Sequence, residues 1–312
     1  MEIKGGIPMY DIGIIGAGTA GMTAAIYGLR AGKSVLLIEE GAVGGQIVVS
    51  PHVENYPGIA SMSGSEFANN LLEQAMNLGA ETRFTAVKAI RNEKDKKVIV
   101  SDEGEIPCKT VIIATGAKHR HLGVKREEEF VGAGVSYCAV CDGAFFKGMD
   151  TAVVGGGNTA LQDAIFLSSY CRRVYLIHRR DAFRGEEHLV STLKAKENVE
   201  FVLDSVVEEL KGDDLLEGVK IKNVKTGEER ELSVEGIFVA IGQAPSNDRF
   251  ADVVKLDGAG YVLASEDCHT SANGIFTAGD CRTKEVRQLT TAAADGAVAA
   301  IAASQYIDRY YK

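Results

Sequence analysis

Residues 11–21 read DIGIIGAGTAG, and this stretch decides the architecture. Residues 11–15 have the apolar content of a buried strand and stop at Gly16-Ala17-Gly18-Thr19-Ala20-Gly21. Residues 22–30 then suit a helix and residues 34–38 a second strand, so the segment predicts a βαβ unit with GxGxxG at its first turn. In such a unit Gly16 permits the tight turn, Gly18 lets the backbone approach a pyrophosphate, and Gly21 lets the helix pack closely on the strand. The helix N-terminus receives the anion. Glu39 lies 23 residues after Gly16, at the end of the second strand, where a carboxylate accepts hydrogen bonds from ribose hydroxyls.

The pattern returns further along the chain. Residues 151–154 lead into Gly155-Gly156-Gly157-Asn158-Thr159-Ala160, followed by a helix-compatible run and a strand over 174–177 that ends at His178. His178 is again 23 residues after the first glycine of its turn, but the acid is gone, and Arg179, Arg180 and Arg184 follow. A carboxylate there would repel a 2′-phosphate, whereas guanidinium groups pair with one, so the second unit points to NADP(H) over NAD(H). The competing reading is a solvated basic edge, against which the register of the repeat argues.

A chain of 312 residues has room for two domains. Apolar and charged contents of 46% and 25% are those of an ordinary folded protein. The net charge of −9 disfavours nucleic acid as a partner. No apolar run approaches the ~18 residues of a membrane span, and the N-terminal stretch runs straight into the glycine turn without a leader-type cleavage site, so a cytoplasmic protein is expected. Glycine-ended strand patterns recur at residues 110–116, 236–242 and 274–280. If the last completes the first sheet, the second dinucleotide unit is an insertion. The expected fold class is α/β, with two Rossmann-like dinucleotide-binding domains. The first covers residues 1–117 and 247–312, with a small β region between 81 and 108, and the second covers 118–246.

Six cysteines are too few for a disulfide scaffold, but Cys138-Ala139-Val140-Cys141-Asp142-Gly143 has redox spacing. Two cysteines so placed can close a small, labile disulfide. A structural pair is a second possibility, and zinc a third, although zinc would need four ligands and no second CxxC exists. No metal is expected. Asp142 either exchanges protons with a thiol of the pair or serves the turn before Gly143.

From residue 10 to the C-terminal helix, the chain resembles the low-molecular-weight, bacterial-type thioredoxin reductases, FAD-dependent members of the pyridine nucleotide-disulfide oxidoreductases. The resemblance rests on GAGTAG at Gly16, GGQ at Gly44, ENYPG at Glu54, ATGA at Ala114, CAVCDG at Cys138, GGGNTA at Gly155, HRRDAFR at His178, AGD at Ala278 and RQLTTAA at Arg287. It implies FAD in the first domain, NADPH in the inserted one, and electron flow from NADPH through FAD and a Cys138–Cys141 disulfide to thioredoxin. Cys141 would face the flavin, Cys138 would attack thioredoxin, and Asp142 would act as acid or base.

Carried over likewise, Gly16, Gly18, Gly21 and Glu39 bind FAD, with Gly45, Gln46 and Asn55 beside them. Asp280 would bind the ribityl or phosphate region and Gln288 the pyrimidine edge, with Gly279 and Arg287 as further cofactor-binding residues. Gly155, Gly157, Asn158, Ala160, His178, Arg179, Arg180 and Arg184 would bind NADPH. The resemblance also implies a homodimer and a swing of the inserted domain, and the two chain crossings into the insertion make residues 117–120 and 243–247 the expected hinges. The chain departs from the pattern at residues 123–129, GVKREEE, where a Pro-Gly-Glu turn is common, and at Cys281, where Val is common. Cys108, Cys171, Cys268 and Cys281 read as inert buried thiols, and His119 and His121 as exposed loop histidines. Intact HRRDAFR argues against relatives that draw electrons from ferredoxin. The length excludes the additional thioredoxin-like domains of hydroperoxide-reductase flavoproteins, and nothing resembles the output module of a redox sensor.

Overall fold

The computed structural model describes residues 8–311. Residues 1–7, on which part of the reading of the N-terminus rests, lie outside them. The chain forms two compact units, one ending at Lys118 and resuming at Ala244, the other spanning His119–Gln243.

The first unit opens with β1 (Tyr10–Ile15), α1 (Thr19–Arg30) and β2 (Val35–Glu39), so the glycine turn lies between strand and helix as its spacing requires. Then come α2 (Gly64–Asn77), whose start is fixed by the Ser63 hydroxyl accepting from the Glu66 amide at 3.1 Å, and β3 (Glu81–Phe84). A meander of β4 (Val87–Asn92), β5 (Lys97–Ser101) and β6 (Gly104–Ile113) completes this half. β6 serves two partners in succession: its first half pairs antiparallel with β5, and its second runs parallel to β1. A short strand, β7 (Ala117–His119), carries the chain into the second unit.

That unit repeats the plan. β8 (Val135–Ser136) and a one-turn helix, α3 (Ala139–Asp142), precede β9 (Asp150–Val154), α4 (Asn158–Leu167), β10 (Arg173–Ile177), α5 (Glu187–Lys194) and β11 (Val199–Val202). An antiparallel meander, β12 (Ser205–Lys211), β13 (Gly218–Asn223) and β14 (Glu229–Leu232), leads to β15 (Gly236–Val239). β16 (Gln243–Pro245) pairs with β7 where the chain returns. β17 (Ile275–Thr277) then joins β6, and α6 (Leu289–Tyr310) ends the fold.

The parallel strands run β3-β2-β1-β6-β17 in the first unit and β11-β10-β9-β15-β8 in the second. The outermost strand of the first comes from the end of the chain, whereas its counterpart β8 opens the second unit. β8 therefore delivers the chain directly into the cysteine segment. Both faces of the first sheet are covered. Ile12, Ile14 and Leu37 belong to one apolar cluster with α1 and α6, and Ile15, Leu36 and Ile38 to another with residues of the meander and Phe250, Val254 and Val262. Two-sided burial is what unbroken apolar parallel strands require.

α1 and α6 meet through small residues, among them Ala20 and Ala24 on one and Ala292, Gly296, Ala299 and Ala303 on the other. A Cβ at Gly296 would overlap the Ala20 carbonyl oxygen. Gly296→Ala is therefore expected to lower stability by about 1–3 kcal/mol, read as an earlier urea midpoint. Among the described residues no helix is long and apolar enough to cross a membrane.

Candidate functional site

The first glycine turn is built as its sequence demands. Gly16 has φ +109°, and a Cβ there would run into the carbonyl oxygen of Ala114, the residue after β6. Gly155 meets the corresponding obstacle, the carbonyl oxygen of Ala240 after β15. Gly21 leaves no room for a Cβ beside the Gly16 carbonyl, whereas Gly18 faces the Gly44 loop at ordinary contact distance. Glu39 closes the turn: one carboxylate oxygen accepts from Ala17 N at 2.7 Å, the other from Gly41 N at 2.9 Å.

Residues far apart in sequence complete this end of the unit. Gly45, also at positive φ, precedes Gln46, whose side-chain amide donates to the Ala117 carbonyl. Asn55 Nδ2 donates to Gln288 Oε1 at 3.2 Å, and Gln288 is the N-cap of α6, locked in a capping box with Thr291. The Arg287 guanidinium lies over the Tyr261 ring, 4.4 Å from its centroid. Asp280 follows Gly279 directly after β17, and its buried Oδ1 has no hydrogen-bond partner among the described residues. Burial pushes its carboxyl above the usual range, opposed by Lys284 and Arg287. A buried, unsatisfied acceptor implies a missing donor. The glycine turn, Glu39 and Asp280 thus suit a pyrophosphate and the hydroxyl-rich chain of a flavin dinucleotide.

Beneath Asp280 lies a charged cluster that the sequence reading overlooked. Asp295 of α6, 4% exposed, accepts from Gly279 N at 2.9 Å, from Arg282 Nε and a terminal guanidinium nitrogen at 2.8 Å each, and from Lys284 Nζ at 2.9 Å. Arg282 is only 1% exposed. Burial alone would raise the Asp295 carboxyl, but the hydrogen bonds from Arg282 and Lys284 win and hold it below its ordinary value.

At the second turn the loop after β10 folds back onto the glycines. Arg184 N donates to Gly156 O at 2.7 Å, and Asn158 and Glu186 clasp each other, Asn158 Nδ2 donating to Glu186 Oε1 and Glu186 N to Asn158 Oδ1, both at 2.8 Å. Gly157 is the N-cap of α4, and Ala160 is buried in its first turn. His178 is 5% exposed, packs against Gly156 so closely that a Cβ there would overlap the imidazole, stacks on Phe183, and donates from Nε2 to Ala182 O at 3.2 Å. Burial and then the neighbouring arginines depress its pKa. His178 thus props the turn from beneath as a neutral ring.

The cations that face outward are Arg179, Arg180 and Arg184, all exposed, and none of their guanidinium groups has an ion-pair or hydrogen-bond partner among the described residues. Nearby Asp181 and Asp204 are both paired with Lys225, at 2.9 and 3.0 Å. Three guanidinium groups beside the second glycine turn, with Asp181 and Asp204 sharing the charge of Lys225 and bonded away from them, suit an anion.

Cys138 and Cys141 form a disulfide with their Cα atoms 5.3 Å apart, on the single turn of α3. Cys141 is exposed and Cys138 half-buried. Asp142 accepts from the Ser136 hydroxyl at 2.6 Å. Tyr137, between them, donates to Glu127 Oε1 at 2.9 Å and lies 2.9 Å from His121 Nδ1. Glu127 is buried and also accepts from Leu122 N and Gly123 N, so the unusual 123–129 stretch braces the cysteine segment. His121 is exposed as expected, but His119 is half-buried and stacked on Tyr137, and burial with repulsion from His121 pushes its pKa down to about 4. The remaining cysteines, Cys108, Cys171, Cys268 and Cys281, are free and buried. No group of three or more His, Cys, Asp or Glu suited to a metal occurs among the described residues.

Residues 10–296 match the pyridine nucleotide-disulphide oxidoreductase family. The chain is 41% identical over 301 residues to a thioredoxin reductase of Listeria monocytogenes, covering 96% of this chain and 94% of the relative. It is 40% identical over 301 residues to that of Bacillus subtilis, covering 96% and 95%. The crystal structure of thioredoxin reductase from Streptococcus pyogenes superposes with a TM-score of 0.93 at 43% identity, covering 96% of this chain and 99% of that one. The chain belongs to the pyridine nucleotide-disulphide oxidoreductases and, within them, to the thioredoxin reductases.

Proposed function

We propose that the protein reduces the disulfide of thioredoxin with electrons from NADPH. One observation carries this reading: a Cys138–Cys141 disulfide shares a compact unit with a second glycine turn flanked by Arg179, Arg180 and Arg184, whose guanidinium groups have no partner among the described residues. FAD, when bound, supplies the two-electron link between nicotinamide and disulfide. Gly16, Gly18, Gly21, Glu39, Gly45, Gln46, Asn55, Gly279, Asp280, Arg287 and Gln288 would hold it. The positive end of α6 favours negative charge beside Gln288. Gly155, Gly157, Asn158 and Ala160 would receive the NADPH pyrophosphate. Arg179, Arg180 and Arg184 would hold the 2′-phosphate, with His178 supporting the loop.

The chain's own chemistry begins with the reduced cysteine pair. Asp142 takes the proton of Cys138, whose thiolate attacks one sulfur of the thioredoxin disulfide; that S–S bond breaks, and the departing sulfur receives the proton back from Asp142. Cys141 then loses its proton to Asp142 and attacks the Cys138 sulfur. The Cys138–Cys141 bond re-forms, and the second thioredoxin sulfur leaves with that proton. Two electrons and two protons pass to thioredoxin. We further propose a cytoplasmic homodimer, the compartment agreeing with four buried free thiols beside a single redox pair, and the assembly being testable by sedimentation.

Anaerobic titration with NADPH and, separately, NADH tests the reading, with bleaching by NADPH at far lower concentration as the expected result. In Arg179→Ala and Arg180→Ala, KM for NADPH should rise about tenfold to a hundredfold per arginine, the scale of one charge-assisted pair, while KM for NADH stays put. Equal use of both nucleotides by the unaltered protein would overturn the NADPH assignment.

A further inference from the structure

We infer that Ser136 is a positioning residue for thiol–disulfide exchange, fixing the Asp142 carboxylate to the backbone of Cys138. The inference rests on the reading of Asp142 as the acid and base of the pair. Ser136 ends β8, which is held in the sheet by parallel pairing of Val135 and Ser136 with Ile237 and Phe238 of β15. Its side chain is therefore set by a strand, while Asp142 lies on a single helical turn. Ser136 is 5% exposed, and its hydroxyl stands at the centre of three polar groups. It lies 2.6 Å from Asp142 Oδ2, receives the Cys138 amide at 3.1 Å, and has the Cys138 carbonyl oxygen at 3.4 Å.

A serine hydroxyl has one proton to give and two lone pairs with which to accept. The 2.6 Å separation commits the proton to the carboxylate, since a short O–H···O⁻ bond is the strongest on offer. The Cys138 amide occupies one lone pair. When Asp142 holds a proton, the second lone pair can accept it, and the hydroxyl proton turns to the Cys138 carbonyl. One buried atom thus remains bonded in both protonation states that Asp142 visits during exchange. Burial makes that economy necessary, because a buried polar group left unpaired is costly. The following residue is pinned as well, with Tyr137 bonded to buried Glu127. The backbone entering Cys138 is thereby held on both sides.

Ser136→Thr and Ser136→Val, nearly identical in shape, isolate the hydroxyl. In steady-state assays of the FAD-loaded enzyme with NADPH and thioredoxin, the Val variant should lose about tenfold or more in kcat with little change in KM for thioredoxin, and the Thr variant should stay within about threefold of the parent. In an Asp142→Asn background the Thr-to-Val difference should vanish, because the two side chains act as one unit. Equal kcat for Thr and Val, or a difference that persists without the Asp142 carboxylate, overturns the inference. If bulk at this position prevents folding of both, Ser136→Ala against the parent makes the same comparison. Failure of the reading itself has a separate signature: an unaltered enzyme that does not reduce thioredoxin. In that case, iodoacetamide alkylation of the dithiothreitol-reduced pair still distinguishes Thr from Val.

Discussion

Cys141→Ser should lose thioredoxin reduction by at least about a thousandfold, the scale of removing one member of a nucleophilic unit, while NADPH still bleaches the bound flavin. At α3 both sulfurs belong to one helical turn, and complete reduction of a disulfide needs the two of them. With Cys138 alone, attack on thioredoxin stalls at the mixed disulfide, because resolution requires the second sulfur. Two measurements check this. Steady-state turnover with thioredoxin should be lost, and reductive titration should take up one hydride equivalent fewer per chain. Cys138→Ser should match it in turnover but form no mixed disulfide with a single-cysteine thioredoxin activated as its thionitrobenzoate disulfide, from which attack by a thiolate of the reductase would expel thionitrobenzoate. A covalent adduct with Cys138→Ser would reverse the roles given to the two cysteines, for which the greater exposure of Cys141 gives a specific reason to look.

Asp295→Ala should cost about 3–5 kcal/mol of stability, the effect of leaving buried charge without its partner. Arg282 cannot shed its proton, and it is 1% exposed, so removal of the carboxylate leaves this buried cation only the solvent-exposed Glu266, at 3.1 Å, as an ion-pair partner. The same substitution frees the Gly279 amide, which Asp295 now holds, and Gly279 leads into Asp280. Urea denaturation should therefore show an earlier midpoint, and the purified variant should retain less flavin. The pH dependence has a definite sign. The folded-state pKa of Asp295 is depressed, so its contribution is fully present above the ordinary aspartate value of 3.8 and is lost as pH falls through the lower folded value. The variant should accordingly show a shallower loss of stability on the acid side of about pH 4 than the parent. An unchanged midpoint in Asp295→Ala would mean that the cluster contributes nothing net.

Both glycine turns, the two-fold repetition and the cysteine pair were legible in the sequence because each depends on residues close along the chain. GAGTAG and GGGNTA impose their turn wherever they follow a strand, since a Cβ at Gly16 or Gly155 would strike a neighbouring carbonyl. The change from Glu39 to His178-Arg179-Arg180 was visible for the same reason, a fixed spacing from the turn. His178 was marked by its position as a residue that shapes the 2′-phosphate pocket, and only the structure adds how it is held, buried under Gly156 and bonded to Ala182.

Composition could not separate Glu127 from its neighbours in a run of three glutamates that reads as a solvated surface, yet Glu127 is buried and accepts three hydrogen bonds. Ser136 and Asp295 were equally unmarked. The sequence by itself determined the kind of fold, the nucleotide turns and the sulfur chemistry, because these follow from local backbone geometry and from residue types at short spacing. Only the tertiary structure decided which ordinary serine, glutamate and aspartate hold that chemistry in place. A hydrogen bond in a buried setting depends on which partner the fold brings within 3 Å, and for Asp295 and Gly279 or Tyr137 and Glu127 that partner comes from a different element of the chain.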